Sequence, residues 1–403
     1  MKPLAVYIHI PFCVRKCAYC DFLSFSGTEE VEEQYIRKLL WEIKESTEIY
    51  RDYEVRTVFI GGGTPTSIPA EQIVRVLETL RECYQMAPDA ECTIECNPGT
   101  ADTDKLKQYR ACGVNRISIG CQSVRDSELK LLGRIHNREQ FLECFRMARD
   151  VGFENINIDM MSGLPGQTVA DWKENLRTVA ELAPEHISAY SLIIEEGTPF
   201  YEKYHRQLEL REKGLEPEEI RRKLEKEDKT AAEERALLPS EDAEREMYHK
   251  TTEILAQYGY QQYELSNYAK PGRECRHNLV YWQRGDYAGF GLGAASCVGE
   301  VRWKNVTDLR TYLDGDSVTT LQTEREALSA EAQRSEAMFL GLRLTDGIDI
   351  KEFADRYGRF PEYFYVDWIG KMKQEGLLEK AEDRLRLTET GRDLANVVMA
   401  GFV

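Results

Sequence analysis

The sequence predicts an α/β fold in which a parallel sheet packs helices on one face and encloses a polar lumen with the other. Segments with strand and helix patterns alternate along the first half of the chain, which is typical of parallel sheets with helical crossovers. In several strands, apolar residues alternate with small or polar ones, so the two kinds lie on opposite faces of the sheet. A loop rich in cysteine follows the first strand directly, at the position where α/β folds place their active sites.

Six strands are predicted, and each of them except the last is followed by a helix. The first strand is the alternating run Leu4–Ile10, which Pro11 ends because proline cannot donate a hydrogen bond to the sheet. The later strands are Val55–Ile60, Glu91–Cys96, Arg116–Cys121, Asn155–Met161 and His186–Ile194. The intervening helices are Glu30–Tyr50, Ala70–Met86, Thr103–Cys112, Arg138–Val151 and Ala170–Leu182.

The alternation within these strands places Glu95, Gln122 and Asp159 on the polar face, near the strand ends. Solvated faces belong to antiparallel sheets more often than to parallel ones, so the polar face predicts a lumen that holds ligand or water. An ordinary half-solvated sheet is the alternative. Taken singly, each of the three side chains suits a satisfied buried polar group, whereas together they predict a ligand cradle.

The cysteine loop has the spacing C-x3-C-x2-C, with Cys13, Cys17 and Cys20 as its members. Three thiolates suit a soft metal centre. A structural zinc site needs four ligands, and no fourth is evident here. A disulfide leaves one thiol over and requires an oxidising compartment. A [4Fe-4S] cluster has four irons, so three cysteines leave one iron open to another ligand.

Two further features follow neighbouring strands. The glycine-rich turn Gly61–Thr66 lets backbone approach a ligand closely, but it is not a phosphate-binding P-loop because no Lys-Ser or Lys-Thr follows it. Arg134 lies just beyond the fourth strand, where a guanidinium suits bidentate binding of a carboxylate. A solvated surface arginine is the alternative interpretation.

Composition excludes several classes of protein. The chain has 403 residues, 42% of them hydrophobic, and a net charge of −17, which argues against nucleic acid as a partner. The sequence contains no run of 18 apolar residues, so no membrane span is expected. The first strand begins almost at Met1, so no signal peptide is expected. Eleven cysteines are then most simply reduced thiols, which predicts a cytoplasmic protein.

The chain divides into four predicted regions: 1–200, the α/β unit with the cysteine loop; 201–238, a charged helical insert or linker with a solvated face; 239–325, an accessory region; and 326–403, three helices and a hairpin that resemble a winged helix. In the accessory region, Ser240 is the predicted N-cap of a helix that ends at Gly259, and Gln261–Tyr268 is a predicted strand. A segment rich in aromatic residues and glycine then surrounds His277.

These motifs together resemble the radical SAM family, in the branch of the oxygen-independent coproporphyrinogen oxidases and their relatives. The resemblance covers nearly the whole chain. It implies a partial (β/α)6 TIM-like barrel followed by a C-terminal α+β, winged-helix-like domain. The motifs that carry it are the segment from Tyr7 through the cysteine loop, Gly61–Thr66, Glu95–Pro98, Gly120–Ser123, and Asp159 with Gly163–Gly166.

Two functions follow from this resemblance. The chain is more similar to the haem chaperones of the branch than to its oxidases, which carry a fourth cysteine where this chain has Phe22 and an N-terminal extension where it has twelve residues before Cys13. The segment His277–Trp282 matches the HNxxYW motif of the chaperones. The expected function is therefore haem binding and delivery. The alternative is an enzyme that oxidatively decarboxylates coproporphyrinogen III.

The resemblance also implies the site residues. Cys13, Cys17 and Cys20 are expected to hold a [4Fe-4S] cluster. His277 is expected to contact haem iron, and the alternative is a buried histidine that only packs against aromatic residues. The expected partners are haem, a haem-accepting protein and an electron donor of the flavodoxin or ferredoxin type. The residues expected to line the S-adenosylmethionine site are Tyr7, Tyr19, Gly62, Gly63, Thr64, Glu95, Gln122, Arg134 and Asp159.

Overall fold

The computed structural model describes residues 1–227 and 236–403 of the chain. Six parallel strands lie in the sheet in the order of the sequence, and helices connect them, so the predicted partial (β/α)6 barrel is confirmed. The strands are β1 Lys2–Ile10, β2 Tyr53–Gly62, β3 Gln85–Cys96, β4 Arg116–Gln122, β5 Ile156–Ser162 and β6 His186–Ser191. The helices are α1 Glu29–Glu45, α2 Ala70–Cys83, α3 Thr103–Ala111, α4 Asp126–Leu132, α5 Arg138–Asp150 and α6 Val169–Glu181.

Four of the six barrel helices, α1, α3, α5 and α6, begin at a polar residue whose side chain caps the helix. Asn137 and Gln140 form a reciprocal capping box at the start of α5, and Thr168 and Asp171 form another at the start of α6. The buried side chains of these helices join the apolar face of the strands in one continuous core. The polar face of each strand is thereby directed into the lumen.

The sheet extends beyond the six predicted strands at both edges, to twelve strands within the described residues. The predicted strand Gln261–Tyr268 is only partly correct, because both ends of the segment are strand but a turn divides it into two short antiparallel strands. The Glu264 carboxylate accepts hydrogen bonds from the Ser266 backbone and the Asn267 amide and so closes this turn. The added strands are β7 Gln261–Gln262 and β8 Asn267–Ala269 beside β6, and β9 Tyr287–Phe290, β10 Ala295–Val298, β11 Val301–Asn305 and β12 Gln322–Ala327 beside β1.

The charged segment after the barrel forms two helices, α7 Pro199–Glu212 and α8 Pro217–Glu227. The prediction of a solvated face is only partly correct, because Leu210, Ile220 and Leu224 bury one another in a small apolar cluster. Phe200 at the start of α7 packs beneath the cysteine loop, and its backbone N–H donates to the Ala18 carbonyl oxygen at 2.9 Å. Residues 228–235 of the predicted insert lie outside the described residues.

The remaining elements include α9 Glu241–Gln257, which begins at the predicted N-cap Ser240, and α10 Arg276–Trp282. Two short helices follow, α11 Leu309–Asp314 and α12 Val318–Leu321. The predicted C-terminal α+β domain and its hairpin are confirmed, and the domain has its own apolar core. It contains helices α13 Ala330–Gly341, α14 Ile350–Tyr357, α15 Pro361–Phe364, α16 Val366–Gln374, α17 Glu389–Asp393 and α18 Ala395–Ala400, with strands β13 Ile348–Asp349, β14 Leu378–Ala381 and β15 Arg384–Leu387. No helix in the described ranges has the length and apolar character needed to cross a membrane.

Candidate functional site

The cysteine loop and the carboxyl ends of the barrel strands line one cavity of about 250 Å³. Backbone hydrogen bonds fix both flanks of the loop: the Cys13 N–H donates to the Phe25 carbonyl oxygen at 2.9 Å, and the Ala18 N–H donates to the Leu132 carbonyl oxygen at 3.0 Å. The lining includes Cys13, Cys17, Cys20, Tyr19, Gly62, Gly63, Thr64, Glu95, Asn97, Ser118, Gly120, Gln122, Arg134, Asp159 and Tyr190.

The three loop cysteines are free thiols that are partly exposed to this cavity. Cys13 Sγ lies 3.4 Å from Thr64 Oγ1, and Arg134 Nη1 lies 3.7 Å from Cys17 Sγ. Within the described ranges, no three cysteine, histidine or acidic side chains are close enough to hold one metal ion together. By ligand number, three thiolates suit a cluster in which each thiolate binds a different iron, whereas a structural zinc site needs four ligands.

Arg134, which follows the end of α4, forms hydrogen bonds with residues in the wall of the cavity. Its Nη2 donates to Asn97 Oδ1 at 2.5 Å and to the Gly120 carbonyl oxygen at 2.6 Å. Helix α4 itself was not predicted, and it ends at Gly133 in the left-handed conformation, which turns the next residue inward. The alternative of a solvated surface arginine is therefore wrong, because Arg134 is buried.

Two acidic side chains, Glu95 on β3 and Asp159 on β5, line the cavity. Glu95 Oε2 accepts a hydrogen bond from the Gly62 N–H at 3.1 Å, and burial together with the charge of Asp159 raises the pKa of Glu95 to about 8. Asp159 accepts hydrogen bonds from Ser118 Oγ at 3.0 Å and Asn157 Nδ2 at 2.7 Å, while burial raises its pKa. These carboxyl groups are suited to accept hydrogen bonds from a polar or cationic ligand.

The backbone at two strand ends adopts conformations that ordinary residues avoid. Gly62 has φ of 113°, and a Cβ at this position would lie 2.5 Å from the His9 ring, so the turn requires glycine. Gln122 has φ of 69°, which is uncommon for a residue with a side chain. Its Oε1 accepts a hydrogen bond from the Tyr190 hydroxyl at 2.8 Å. Strained backbone of this kind concentrates at functional sites.

The two tyrosines expected at the cofactor site lie at different depths. Tyr19 lines the cavity and packs edge-on against Phe200. Tyr7 does not line the cavity: its hydroxyl is 3.0 Å from His9 Nδ1 and its ring stacks on Phe59. Eight of the nine residues expected around S-adenosylmethionine therefore line one cavity with the cysteines, and Tyr7 lies beneath it.

His277 lies away from this cavity, where α10 packs against β2. Its Nδ1 is 2.9 Å from Thr57 Oγ1 and its Nε2 is 3.0 Å from the Tyr281 hydroxyl, so one ring nitrogen donates and the other accepts. The ring lies between Phe59 and Tyr281 and is 1% exposed. Burial and the charge of Arg116 lower the pKa of His277 to about 3. His277 and Tyr281 lie one helical turn apart on α10, so the hydroxyl beside Nε2 belongs to the same motif.

The sequence assigned no individual role to several residues that complete the site. Tyr190 and Ser118 line the cavity, and Asn157 links Asp159 to His186, whose Nδ1 lies 2.6 Å from Asn157 Oδ1. The alternation of the strands was the available signal, because Ser118 and Asn157 share the polar face with the predicted residues. Alternation does not identify His186 and Tyr190 as site residues. Their partners, Asn157 and Gln122, lie on other strands of the sheet and are known only from the structure.

Comparison with known proteins is consistent with this architecture. The Radical SAM superfamily matches residues 7–179 and the HemN C-terminal domain matches residues 328–394. The solved structure of coproporphyrinogen III oxidase (HemN) from Escherichia coli, described as a radical SAM enzyme, covers 100% of this chain and 90% of its own with a TM-score of 0.80. At 24% identity this likeness shows the fold alone.

Sequence relatives extend over the full chain. A protein of Bacillus subtilis named heme chaperone HemW is 35% identical over 99% of both chains. The protein of the same name from Escherichia coli is 34% identical over 100% of this chain and 99% of its own. Together with the barrel, the cysteine loop and the HemN-type C-terminal domain, this similarity shows that the chain belongs to the HemW family of radical SAM proteins.

Proposed function

We propose that this protein is a haem chaperone that binds haem and delivers it to an acceptor protein. The observation that carries the proposal is the full-length similarity to proteins named heme chaperone HemW, combined with a cysteine loop of three thiols and no fourth. At the position where the related oxidases carry that cysteine, Phe22 is 70% exposed.

In this proposal, Cys13, Cys17 and Cys20 hold a [4Fe-4S] cluster, which supplies an iron with an open coordination position. S-adenosylmethionine occupies the rest of the cavity. The open iron takes the amino and carboxylate groups of this cofactor, and Glu95, Asp159 and Arg134 line the space around it. The support is geometric, because the three thiols and eight of the nine residues line the same cavity.

The contact between His277 and haem iron stays a prediction of the sequence motif. For the imidazole to reach iron, Tyr281 must first release Nε2, or Thr57 must release Nδ1. Such a step exposes a side chain that is buried among aromatic rings. In this proposal, α10 must therefore open locally before the His277 imidazole can bind haem iron as an axial ligand.

The proposal includes partners besides haem. A haem-accepting protein receives the cargo, and an electron donor of the flavodoxin or ferredoxin type reduces the cluster. Eleven free cysteines, none of them paired in the described residues, suit a reducing compartment, so we place the protein in the cytoplasm.

The second candidate function is oxygen-independent coproporphyrinogen III oxidation. The chain has the same fold as HemN, a coproporphyrinogen III oxidase, with a TM-score of 0.80, so the fold is compatible with this alternative. Phe22 in place of the fourth cysteine argues against it.

One anaerobic experiment separates the two functions. The protein with reconstituted cluster and S-adenosylmethionine is assayed in parallel for haem binding, haem transfer to apocytochrome, and conversion of coproporphyrinogen III. The proposal expects a retained Soret band, transfer of haem and no conversion. Conversion at an enzymatic rate without retention of haem would establish the oxidase instead.

A further inference from the structure

Helix α10, which carries the HNxxYW motif, ends where the accessory region meets the C-terminal domain. Trp282 is its last residue, and Arg284 follows with φ of 51°, which is uncommon for a residue with a side chain. The Arg284 N–H donates to the Tyr281 carbonyl oxygen at 3.0 Å, so this conformation closes the last turn of the helix. Tyr281, whose hydroxyl lies beside His277 Nε2, therefore belongs to the turn that Arg284 ends.

The side chain of Arg284 forms a buried ion pair with the C-terminal domain. Its Nε donates to Glu336 Oε2 on α13 at 3.0 Å, and Arg302 Nη2 on β11 lies 2.6 Å from Glu336 Oε1. The side chains of Arg284 and Glu336 are only 4% and 8% exposed. Because these charges have lost their water, removal of one partner leaves the other without compensation.

Two further arginines of the C-terminal domain contact the end of α10. Arg356 Nη2 on α14 donates to the Arg284 carbonyl oxygen at 3.1 Å. The guanidinium of Arg343, which follows α13, lies 4.4 Å from the centre of the Trp282 ring. We call Arg284, Arg302, Glu336, Arg343 and Arg356 the junction cluster.

The packing beside the junction cluster is incomplete. A cavity of about 130 Å³ lies between Trp282 and residues of α13 and α14, among them Gly341, Phe353 and Tyr357. The buried Trp282 Nε1–H has no hydrogen-bond acceptor within residues 1–227 and 236–403. Close-packed interiors contain few such voids, and most buried polar groups have a partner. Charged contacts therefore contribute much of the attachment, and their return to water offsets part of the cost when the contact opens.

The C-terminal end of α10 is thus the end that a separate domain holds, whereas Glu91 of the barrel caps its N-terminal end. Both nitrogens of His277 are occupied within the closed arrangement, by Thr57 and Tyr281. We propose that the C-terminal domain regulates haem binding by holding α10 closed through the junction cluster, and that α10 exposes His277 when the contacts of Glu336 break. This inference rests on the proposed function that His277 binds haem, and it names the contact that controls access to it.

The test measures hydrogen exchange of the α10 amides and the rate of haem association in the full chain with reconstituted cluster. Glu336→Gln keeps the size of the side chain and removes its charge. Arg356→Met removes the donor to the Arg284 carbonyl oxygen from an exposed position. Glu379→Gln is the matched control, because Glu379 forms an exposed ion pair with Arg386 on the hairpin of the same domain.

If opening of α10 limits access, the haem association rate of the unmodified protein reaches a plateau as the haem concentration rises. Glu336→Gln should raise this plateau and the exchange rate of the α10 amides about tenfold, because the loss of one charge-assisted contact corresponds to about that factor. Arg356→Met should raise both by a smaller factor, and Glu379→Gln should change neither. Amides of strands β1 to β6 are the internal reference, since local opening leaves their exchange unchanged.

The outcomes separate failure of this inference from failure of the proposed function. If the unmodified protein binds haem and neither junction variant changes α10 exchange or the association rate, the inference is wrong and the chaperone function stands. Slower association in Glu336→Gln would also overturn it, because the junction would then support the form that binds haem. If Glu336→Gln does not fold, Arg356→Met decides by the same measurements. If the unmodified protein binds no haem, the proposed function fails, and exchange of α10 alone shows whether the junction cluster holds the helix closed.

Discussion

The lumen of the barrel has two ends that are built from the same strands. At one end the polar side chains face a cavity, and at the other they form hydrogen bonds with a packed helix. At the end with the cysteine loop, Glu95 and Asp159 face a cavity. At the other end, Thr57 and Glu91, which precede Gly62 and Glu95 on the same two strands, bind residues of α10. A polar strand face is therefore not by itself a ligand site, and it becomes one only where packing leaves space.

The closed end is held by a network of buried groups. The Glu91 carboxylate accepts hydrogen bonds from the backbone N–H groups of Arg276 and His277, and it thereby caps α10. On the adjoining strands, His186 lies between Asn157 and Tyr263, with its Nε2 2.8 Å from the tyrosine hydroxyl. Buried polar networks are costly to break when each member has a partner. Substitutions are thus expected to cost stability at the closed end and ligand binding at the open end.

The largest effect is expected from removal of a cluster thiol. Cys17→Ala should abolish the charge-transfer absorption of the reconstituted cluster, because two thiolates do not hold it. The matched control is Cys83→Ala, on α2 and outside the cavity, which should retain full iron and sulfide content. Stoichiometric zinc without iron in the anaerobic unmodified protein would contradict the cluster assignment.

Next in size is the loss of folding stability in His277→Ala. The substitution leaves the Thr57 and Tyr281 hydroxyls without their partner and opens a cavity beside Phe59, so we expect a cost of about 2–4 kcal/mol in the free energy of unfolding. The measurement is the urea midpoint, with cluster content as the control at the open end. An unchanged midpoint would show that the aromatic surroundings do not depend on the imidazole.

A smaller effect, which depends on pH, is expected at Glu95. Its folded pKa of about 8 exceeds the ordinary value of 4.5, so the folded state binds the proton more tightly than the unfolded state does. The unliganded protein should therefore lose stability as pH rises from about 4.5 to about 8, by a few kcal/mol at most. Glu95→Gln should remove this loss and weaken S-adenosylmethionine binding. The comparison of urea midpoints at pH 5 and pH 8 checks the sign, and parallel curves for both proteins would refute it.

The smallest effects come from a matched pair of threonines. Thr57→Val removes the hydroxyl beside His277 Nδ1 in a closed site, and we expect a cost of about 1–2 kcal/mol in the free energy of unfolding. Thr64→Val removes the hydroxyl that accepts from Asn97 Nδ2 and lies near Cys13, where water in the cavity can replace it. The second variant should unfold at nearly the same urea concentration as the unmodified protein but lose its cluster faster in air. Equal stability losses in both would remove the distinction between the two ends.

The local pattern was sufficient to predict a parallel sheet with helical crossovers and a polar inner face, and the resemblance to the radical SAM family added the partial barrel. Strand alternation assigned Glu95 and Asp159 to the inner face, and a proline placed the cysteine loop at the end of the first strand. These features depend on residues close in sequence, since side chains alternate with a period of two along any strand. The edge strands beyond β1 were missed and the two beyond β6 were predicted as one, because these strands are short and are formed by pairing with a neighbour rather than by their own pattern.

The sequence alone therefore determined the parallel α/β sheet and the cysteine loop, and its resemblance to the radical SAM family implied most of the residues that line the cavity beside that loop. The tertiary structure decided which polar groups have space beside them. It enclosed His277 between Phe59 and Tyr281, which no spacing within the HNxxYW motif reveals. It also brought the Tyr190 hydroxyl to within 2.8 Å of Gln122 Oε1, although 68 residues separate the two in the chain. The physical reason is that burial and charge neutralisation depend on contacts between distant segments, whereas periodicity depends only on neighbours.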